Sequence, residues 1–446
     1  MNPENPSVPA RIGRRKFLKS SSQAVTATAV MGWPSRAAAS SPNSRIVIGM
    51  LGPGGMGMNH LNRLAGNPDV EVAAICEVDR NRLESAAGAV EKISGKRPAT
   101  VDDLRRLLDR PDLDAVFIAT PDHWHAPATL LACQAGKHVY VEKPCSHNVR
   151  EGRLMIEAGR QYDRVIEVAA QSRSARYVKR AIELLHDGAI GEILTAKAWN
   201  SQRRRGIGKT QPSEAPSHLD FDAWLGSAPK VEYRGNMLHS VWRWWFDYGA
   251  GDFGNDGVHD IDIARWGLNM DSAPVRMAAM GGKYFFDDDQ QFPDTQNVLF
   301  EYLPEKKTGR PRQLMFEQRI WSPYVQEGHE NGNAFYGTDG MMIFGKSRGW
   351  KLFGPRNELR EEMTGSLDVE THHQDFFDAI RLNRKPSAGI ETGHYSATLC
   401  HLGNIAVRTS GFLEFDPEKE RVLNSPSADG MLSRRYREHW ATPAGG

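Results

Sequence analysis

The sequence has few of the features that mark disulfide-rich, membrane-spanning or nucleic-acid-binding proteins. Four cysteines occur in 446 residues, none in a Cys-x-x-Cys pair, so their spacing indicates no disulfide framework and we expect buried free thiols. No apolar run approaches the ~20 residues that a membrane-spanning helix needs. The formal net charge is only +1, which offers no electrostatic case for binding nucleic acid.

Basic residues are concentrated near the N-terminus. Residues 1–40 hold six of the 56 Lys and Arg residues and one of the 55 Asp and Glu residues, so the rest carries 50 basic against 54 acidic groups, a net charge of −4. Within this segment a twin-arginine pattern precedes a weakly apolar stretch and three small residues: Gly13-Arg14-Arg15-Lys16-Phe17-Leu18-Lys19, then Ala37-Ala38-Ala39. This order predicts a leader over residues 1–40 that the twin-arginine export machinery recognises, and hence a periplasmic protein; a disordered basic tail is the alternative.

Between residues 44 and 165, apolar strands alternate with helical segments. The runs Ile46–Leu51 and Val70–Cys76 are almost continuously apolar, as expected of parallel strands covered on both faces. Thr100 is predicted to cap the helix that carries Leu104, because it precedes a run of helical periodicity. The repeated strand–helix units predict a doubly wound parallel sheet, that is, a Rossmann domain over residues 44–165.

After residue 165 the pattern changes. Candidate strands at 193–199, 276–280, 297–302 and 313–319 suit an open antiparallel sheet. Helical periodicity appears near 177–185 and returns near 376–380 and 397–402. We expect a substrate-binding α/β domain over residues 166–411 with an open, mainly antiparallel sheet. A C-terminal arm, residues 412–446, would lie at its periphery.

A glycine-rich loop joins the first strand to the first helix and predicts a dinucleotide site. The run Gly52-Pro53-Gly54-Gly55-Met56-Gly57 matches G-x-G-x-x-G in that context, with its glycines allowing a tight turn, close approach of a pyrophosphate and helix packing. Glu77 follows the second strand, where an acid binds the adenosine ribose. A carboxylate there favours NAD, although nearby Arg80 leaves NADP possible and Asp79 could share the role.

Two further motifs follow later strands of the same sheet. These are Ala119-Thr120-Pro121-Asp122-His123-Trp124-His125 and Val141-Glu142-Lys143-Pro144. Together with the glycine loop, they make the sequence resemble the Gfo/Idh/MocA family over residues 45–410. The resemblance implies that Thr120, Pro121 and His125 border the nicotinamide half of the cofactor. It also implies that Glu142 and Lys143 reach the nicotinamide ribose and the reacting centre.

A second signature lies in the predicted substrate domain. The stretch Asn255-Asp256-Gly257-Val258-His259-Asp260-Ile261-Asp262 resembles the D-x-G-x-H-x-x-D pattern of the family, in which the histidine stands at the reacting carbon. His259 and Asp262 match and would share one helix face, whereas Asn255 replaces the first aspartate. We expect Lys143 and His259 to act as an acid–base pair; a helix-capping or buried structural role for His259 is the alternative.

Candidate substrate contacts combine aromatic and polar side chains. The aromatic run at 242–248 suits the C–H faces of a sugar, although a core or dimer-interface role is equally consistent. The candidates are Asn200, Gln202, Arg203, Trp242, Asn255 and Asp262. Four histidines lack a fixed ligand spacing, and we expect no metal; they are His372, His373, His394 and His401.

The hypothesis is an exported nicotinamide-dependent oxidoreductase that acts on a sugar, polyol or glycoside by hydride transfer. Outside the cytoplasmic nicotinamide pool, NAD(H) would have to stay tightly bound. One alternative is redox-neutral glycoside cleavage through a transient keto-sugar, as the resemblance allows. Another is a non-enzymatic sugar-binding protein on a Rossmann scaffold. The resemblance also implies a homo-oligomer.

Overall fold

Two β-sheets organise the chain, which a computed structural model describes over residues 45–303, 309–322, 324–409 and 411–446. The predicted twin-arginine leader, residues 1–40, lies outside the described residues. None of the helices in the described ranges combines the length and apolarity that crossing a bilayer requires.

The first sheet has six parallel strands in the order β3-β2-β1-β4-β5-β6. This is the strand order of dinucleotide-binding folds, in which a crevice opens between β1 and β4 because the chain reverses direction there. The elements, in chain order, are β1 (Ile46–Leu51), α1 (Gly55–Leu64), β2 (Val70–Cys76), α2 (Arg80–Ser94), β3 (Ala99–Val101), α3 (Leu104–Leu108), β4 (Ala115–Ile118), α4 (Asp122–Gln134), β5 (His138–Val141), α5 (Val149–Gln161) and β6 (Ile166–Val168).

The predicted doubly wound sheet is confirmed, with one local error. Thr100 does not cap a helix but lies in β3, where it pairs with Ile75. The cap of α3 is Asp103, whose carboxylate accepts the backbone N–H of Arg105 at 2.8 Å. A β-branched threonine suits an extended segment, and the aspartate supplies the cap a few residues later.

The second sheet has ten strands in the order β14-β13-β12-β11-β7-β10-β9-β8-β15-β16. Only β7 and β10 run parallel within the described sheet, so the predicted open, mainly antiparallel sheet is confirmed. Its strands are β7 (Ile193–Asn200), β8 (Arg276–Gly282), β9 (Thr295–Tyr302), β10 (Arg312–Arg319), β11 (Asn331–Gly337), β12 (Met341–Gly345), β13 (Gly349–Phe353), β14 (Leu359–Met363), β15 (Phe412–Asp416) and β16 (Arg421–Val422).

One face of this sheet is packed and the other is open. Helices α6 (Arg176–His186), α8 (Val258–Gly267) and α10 (Ile390–Arg408) contact the covered face. Strand β9 alternates buried and exposed residues, as expected of a sheet with one exposed face. Met280, Leu299 and Tyr336 are exposed.

Two helices of the predicted substrate domain also complete the core of the first sheet. Phe376 and Phe377 of α9 (Val369–Leu382) share a buried cluster with Ile48 and Phe117, and the rings of Phe376 and Phe117 lie 5.7 Å apart. Helix α10 packs against α5 on the other side of that sheet. The two halves therefore share a core, which the order of the chain does not reveal.

Residues 412–446 are not peripheral, contrary to the predicted arm. Strand β15 pairs with β8 and extends the second sheet. After α11 (Pro426–Asp429) the chain returns to the first domain, where the Tyr436 hydroxyl donates to Glu151 at 2.8 Å. The expectation of free thiols is confirmed, because all four cysteines are buried and unpaired.

Candidate active site

A cavity of about 770 Å³ opens at the carboxyl ends of the first-sheet strands. Its wall includes residues that directly follow β1, β2, β3, β4 and β5, together with residues between 220 and 255 and residues 439–440. Ligands of parallel α/β sheets bind at this edge, outside the point where the strand order reverses. The cavity is therefore the candidate cofactor and substrate site.

The glycine loop between β1 and α1 forms one wall. Gly52 has φ +79°, and a Cβ there would lie 3.0 Å from the backbone carbonyl group of Ala119. A Cβ on Gly57 would lie 2.3 Å from the carbonyl oxygen of Gly52, so the loop and α1 fit together only with glycine at both positions. Gly54, Gly55 and Met56 line the cavity, whereas Gly57 serves the packing beneath it.

Glu77 supplies a carboxylate at the end of β2. Its side chain accepts the backbone N–H groups of Val78 and Asp79 at 2.8 and 3.0 Å and lines the cavity. Burial raises the pKa of Glu77, and these hydrogen bonds oppose the shift. Asp79, the alternative, instead caps α2 and accepts His239 at 3.0 Å. Glu77 is therefore the carboxylate at the end of β2 that is available to a ligand of the cavity.

The loop after β4 presents a hydroxyl group without a partner. Thr120 Oγ1 is buried, lines the cavity and finds no hydrogen-bond partner within the described ranges. A buried donor of this kind suits a bound polar ligand. The ring nitrogens of His125 lie 2.7 Å from the carbonyl oxygen of Pro144 and 3.0 Å from that of Thr120, so His125 ties the loops after β4 and β5 together. Burial lowers its pKa. Pro121 lines the cavity and precedes α4.

Glu142 is held by a chain of two histidines. Its Oε1 lies 2.8 Å from His60 Nε2, and His60 Nδ1 lies 2.8 Å from His373 Nε2. Burial would raise the pKa of Glu142, but hydrogen bonding to His60 and the charges of His60, Lys143 and His125 together outweigh it and the pKa falls. Glu142 is thus ionised at the cavity wall. Sequence reasoning missed His60, which stands on α1 three residues past Gly57.

Lys143 joins the two domains. Its Nζ donates to the backbone carbonyl of Asn255 at 2.5 Å, with the Asn255 side-chain oxygen at 3.5 Å. Burial lowers the pKa of Lys143, and the charges of Glu142 and Asp256 oppose the shift. Asn255 lies in a π-helical turn, Phe253–Gly257, a geometry frequent at functional sites.

Asp256 forms ion pairs with two positively charged side chains near the contact of Lys143 with Asn255. Its carboxylate pairs with Arg204 at 2.8 Å and Lys346 at 2.6 Å. Burial would raise the pKa of Asp256, but the charges of Lys346 and Lys143 hold it well below its usual range.

His259 is 8% exposed and outside the described cavity lining. Burial, then the charges of Lys346 and Lys143, lowers the pKa of His259, so the predicted pair shares one electrostatic environment.

Five of the six predicted substrate residues divide into three groups. Trp242 and Asn255 line the cavity. Asn200 and Gln202 lie behind it, where Asn200 donates to Asp252 at 2.8 Å and Gln202 donates to Asp256. Arg203 is exposed, and its neighbour Arg204 makes the inward contact instead.

The structure places Asp262 away from the cavity. Its carboxylate receives two hydrogen bonds from Arg173, at 2.7 and 3.0 Å, and one from the Ser396 hydroxyl at 2.7 Å. With both oxygens engaged and only 3% exposure, Asp262 ties α8 to its neighbours. Its position in the signature does not make it a substrate contact.

Further cavity residues were missed by sequence reasoning. Burial raises the pKa of Asp122 to about 8. Arg243 lines the cavity beside it, and its Nε has no partner in the described structure. His439 and Trp440 arrive from the C-terminal segment. Asp122 could have been predicted from the sequence, because it lies in the motif at residues 119–125 that follows β4. Arg243, His439 and Trp440 could not, because they follow no strand of the first sheet.

Each of the four histidines considered for a metal has its own hydrogen-bond partner. His373 contacts His60, and the other three contact Ser174, Glu420 and the carbonyl group of Ser146. The histidines are His372, His373, His394 and His401. Each of the four imidazole rings therefore has a separate partner among the described residues.

Comparison with known proteins identifies the family. The family described as "Oxidoreductase family, NAD-binding Rossmann fold" matches residues 46–170, and "Oxidoreductase family, C-terminal alpha/beta domain" matches 190–301 and 328–442. A glycosyl hydrolase family 109 protein of Saccharopolyspora erythraea is 31% identical over 151 residues, 33% of each chain. Glycosyl hydrolase family 109 protein 1 of Shewanella sp. (strain ANA-3) is 30% identical over 209 residues, 42% of this chain and 45% of that protein. These matches span less than half of either relative.

Solved structures share the fold. Levoglucosan dehydrogenase in complex with NADH and levoglucosan has a TM-score of 0.64 at 19% identity, covering 83% of this chain and 99% of that one. Aldose–aldose oxidoreductase from Caulobacter crescentus, complexed with glycerol, has a TM-score of 0.62 at 18% identity, covering 83% and 100%. The glycine loop, the carboxylate at the end of β2 and the two matched domains lead to one conclusion: the chain belongs to the Gfo/Idh/MocA oxidoreductase family, whose N-terminal domain is an NAD-binding Rossmann fold.

Proposed function

We propose that the enzyme oxidises a hydroxyl group of a sugar, polyol or glycoside and keeps NAD(H) bound between turnovers. The observation that carries this proposal is Lys143, a half-buried amine held at the cavity wall by Asn255 and placed within the field of Asp256 and His259. When bound, NAD accepts a hydride from the carbon that bears the hydroxyl group. The side chains of the enzyme bind, orient and move the proton.

The cavity wall supplies the contacts that a dinucleotide needs. The loop at Gly54 and Gly55 and the start of α1 offer backbone N–H groups to the pyrophosphate. Glu77 accepts ribose hydroxyl groups at one end, and the unpartnered Thr120 hydroxyl suits a polar group of the ligand nearer the other. Glu142 stands beside the reacting centre as an ionised acceptor.

Proton removal falls to Lys143, with His259 in support. Burial lowers the pKa of both groups, which favours the neutral, proton-accepting form of each. The Asn255 carbonyl fixes the position of the amine. Asp256 opposes both shifts, because its negative charge favours the protonated forms. The substrate hydroxyl proton passes to the Lys143 amine as the hydride leaves the same carbon.

A sugar fits the remaining wall. Trp242 offers an aromatic face, and Arg243 lies over its ring at 5.2 Å. Asp122 and Arg243 supply polar groups for hydroxyls, since both line the cavity and Arg243 Nε has no hydrogen-bond partner in the described structure. Aromatic faces with fixed polar neighbours are typical of carbohydrate sites.

The second candidate is redox-neutral glycoside cleavage, which the names of the glycosyl hydrolase family 109 relatives favour. Here the ring hydroxyl is oxidised to a ketone, the adjacent C–H loses its proton to a base, and the glycosidic group leaves as an alcohol. Water adds to the resulting double bond, and the hydride returns to the ketone. The net reaction is hydrolysis, and the cofactor ends in its starting state.

Two further proposals concern where and how the enzyme works. The twin-arginine pattern of residues 13–19 supports export to the periplasm, where retained NAD(H) would be essential. The exposed apolar residues of the open sheet face, Met280, Leu299 and Tyr336, support a homo-oligomer that covers this face. A fusion of residues 1–45 to a reporter and sedimentation of the purified protein test these two proposals.

The test of activity is a carbohydrate and glycoside panel incubated with purified protein. One portion of the protein is denatured, and the nucleotide it releases is measured. Reduced nicotinamide and sugar products are then followed together in a second, native portion. Oxidation gives reduced nicotinamide in proportion to the keto product, whereas redox-neutral cleavage gives free sugar without net reduction. A protein that holds nicotinamide yet forms no product from any panel member would contradict the proposal.

A further inference from the structure

We infer that residues 434–446 complete the adenosine end of the cofactor cavity and that the Trp440 ring is the surface on which the adenine base stacks. His439 and Trp440 line the same cavity as Glu77, although more than 360 residues separate them in sequence. The inference deepens the proposed function, because it gives a structural reason for retention of NAD(H). It concerns binding and does not depend on the substrate.

Trp440 lies on the side of the cavity where β2 and β3 end. The guanidinium group of Arg105, in the first turn of α3, stands 4.5 Å from the centre of the Trp440 ring. In the strand order, β3 and β5 are four steps apart, about 19 Å at a spacing of ~4.8 Å per strand. Trp440 therefore shares its end of the cavity with Glu77 and is distant from Lys143, which follows β5.

The Trp440 side chain keeps exposed surface although three groups contact its ring. It is 41% exposed and lines the cavity. Trp124, at the start of α4, approaches it with ring centres 5.9 Å apart and planes tilted by 49°, and the ring of His439 lies 4.8 Å away. Arg105, Trp124 and His439 thus hold the ring while part of its surface remains exposed, and a flat purine is the part of the dinucleotide that suits such a surface.

Hydrogen bonds on both sides of Trp440 fix the segment. Before it, Arg437 pairs with Asp222 at 2.6 Å, and its backbone N–H donates to the Ser227 carbonyl group at 3.1 Å. After it, Arg150 of α5 donates to the Gly445 carbonyl at 2.9 Å. Because Asp222 also lines the cavity, the segment and the short helix α7 (Phe221–Leu225) form one continuous outer wall.

The anchored ring has a kinetic consequence. A dinucleotide that leaves by its adenosine end must break the stacking contact with Trp440 before it clears this wall. Base–aromatic stacking typically contributes about tenfold or more in affinity. We therefore assign slow release of the cofactor to the C-terminal segment, in addition to the glycine loop.

The experiment compares Trp440→Ala with Trp440→Phe in the full chain after removal of bound nucleotide. Calorimetry measures binding of ADP-ribose and of nicotinamide mononucleotide, and stopped-flow fluorescence measures release of NADH. We expect Trp440→Ala to release NADH about tenfold faster and to bind ADP-ribose about tenfold more weakly. Binding of nicotinamide mononucleotide should be unchanged, and Trp440→Phe should stay close to the wild type.

Two results would overturn the inference. One is unchanged ADP-ribose affinity in Trp440→Ala. The other is an equal loss for both half-ligands, which would place the effect on the whole protein. Arg437→Ala, which leaves the ring in place but removes an anchor, should give an intermediate NADH release rate. Normal ADP-ribose binding by a protein that turns over no carbohydrate would refute the proposed function and leave this inference intact.

Discussion

The two ends of the cavity are built from different chemistry. At the proposed reacting end, Lys143 and Asp256 are half-buried and His259 is buried, and desolvation together with mutual charge shifts the pKa of each. At the proposed adenosine end, Glu77 is the carboxylate, and the partly exposed ring of Trp440 supplies surface. An amine needs a lowered pKa to accept a proton near neutral pH, and desolvation provides such a shift. Holding a nucleotide needs contact area and hydrogen bonds.

The comparison predicts that substitutions at the reacting end change the rate and those at the adenosine end change retention. The largest effect is expected for Lys143→Met, which removes the amine but keeps a long side chain. The rate of hydride transfer should fall about 10³-fold, as typical for loss of an acid–base group, because no base then faces the substrate hydroxyl. Single-turnover formation of reduced nicotinamide measures it.

NAD binding by Lys143→Met should remain near the wild-type value, as measured by calorimetry. Lys92→Met is the matched control, since Lys92 is exposed on α2. If Lys143→Met keeps the wild-type rate, Lys143 has no catalytic role. If the variant loses only NAD binding, Lys143 binds the cofactor and does not transfer the proton.

A smaller loss, on the order of tenfold, is expected for Asp256→Asn, which acts through other groups. The carboxylate raises the pKa of Lys143 and of His259, so its removal lowers both. Because the base works in its neutral form, the rising limb of the rate against pH should move to lower pH. A pH–rate profile measures the shift, and Asp287→Asn, which removes the exposed pair with Lys209, is the control. A profile that moves to higher pH contradicts this electrostatic assignment.

The adenosine end is tested by Glu77→Ala. We expect NAD affinity to fall about tenfold while NADP affinity rises, because a 2′-phosphate is no longer repelled. Arg82, which lines the cavity and lowers the pKa of Glu77 by its charge, is placed to receive that phosphate. The measurement is the ratio of the dissociation constants for NAD and NADP. An unchanged ratio would show that Glu77 does not determine the choice between the two cofactors.

The smallest expected effect concerns stability. Asp122 has a pKa of about 8 when folded, raised by burial, against about 3.9 when unfolded. Unfolding between these values releases a proton, so Asp122 lowers stability increasingly from pH ~4 to ~8, and the cost levels off above that. Asp122→Asn should therefore melt a few degrees higher than the wild type at pH ~8, with no difference near pH ~3. Equal melting temperatures at both pH values would contradict the raised pKa.

Local patterns predicted which residues follow β1 and β2 at the cavity wall, because these patterns act over a few residues. The positions of Gly52 and Gly57 follow from one turn between a strand and a helix, and Glu77 follows directly from the end of β2. Arg203 was chosen where Arg204 makes the contact, because nothing in a basic run shows which side chain turns inward. Asp262 matched a signature but pairs with Arg173, a contact between residues 89 positions apart.

Short-range patterns were enough to predict the parallel sheet, its glycine loop and the strand ends that carry Lys143 and Glu142, since apolar periodicity and turn chemistry act over a few residues. The folded chain was needed to show that Asp256 pairs with Arg204 and Lys346, that His60 contacts Glu142, and that Trp440 lines the far end of the cavity. Those contacts join elements from both sheets and from the C-terminal segment. They form because a charged or polar side chain that is removed from water needs a partner. The fold supplies that partner from residues that are far apart along the chain.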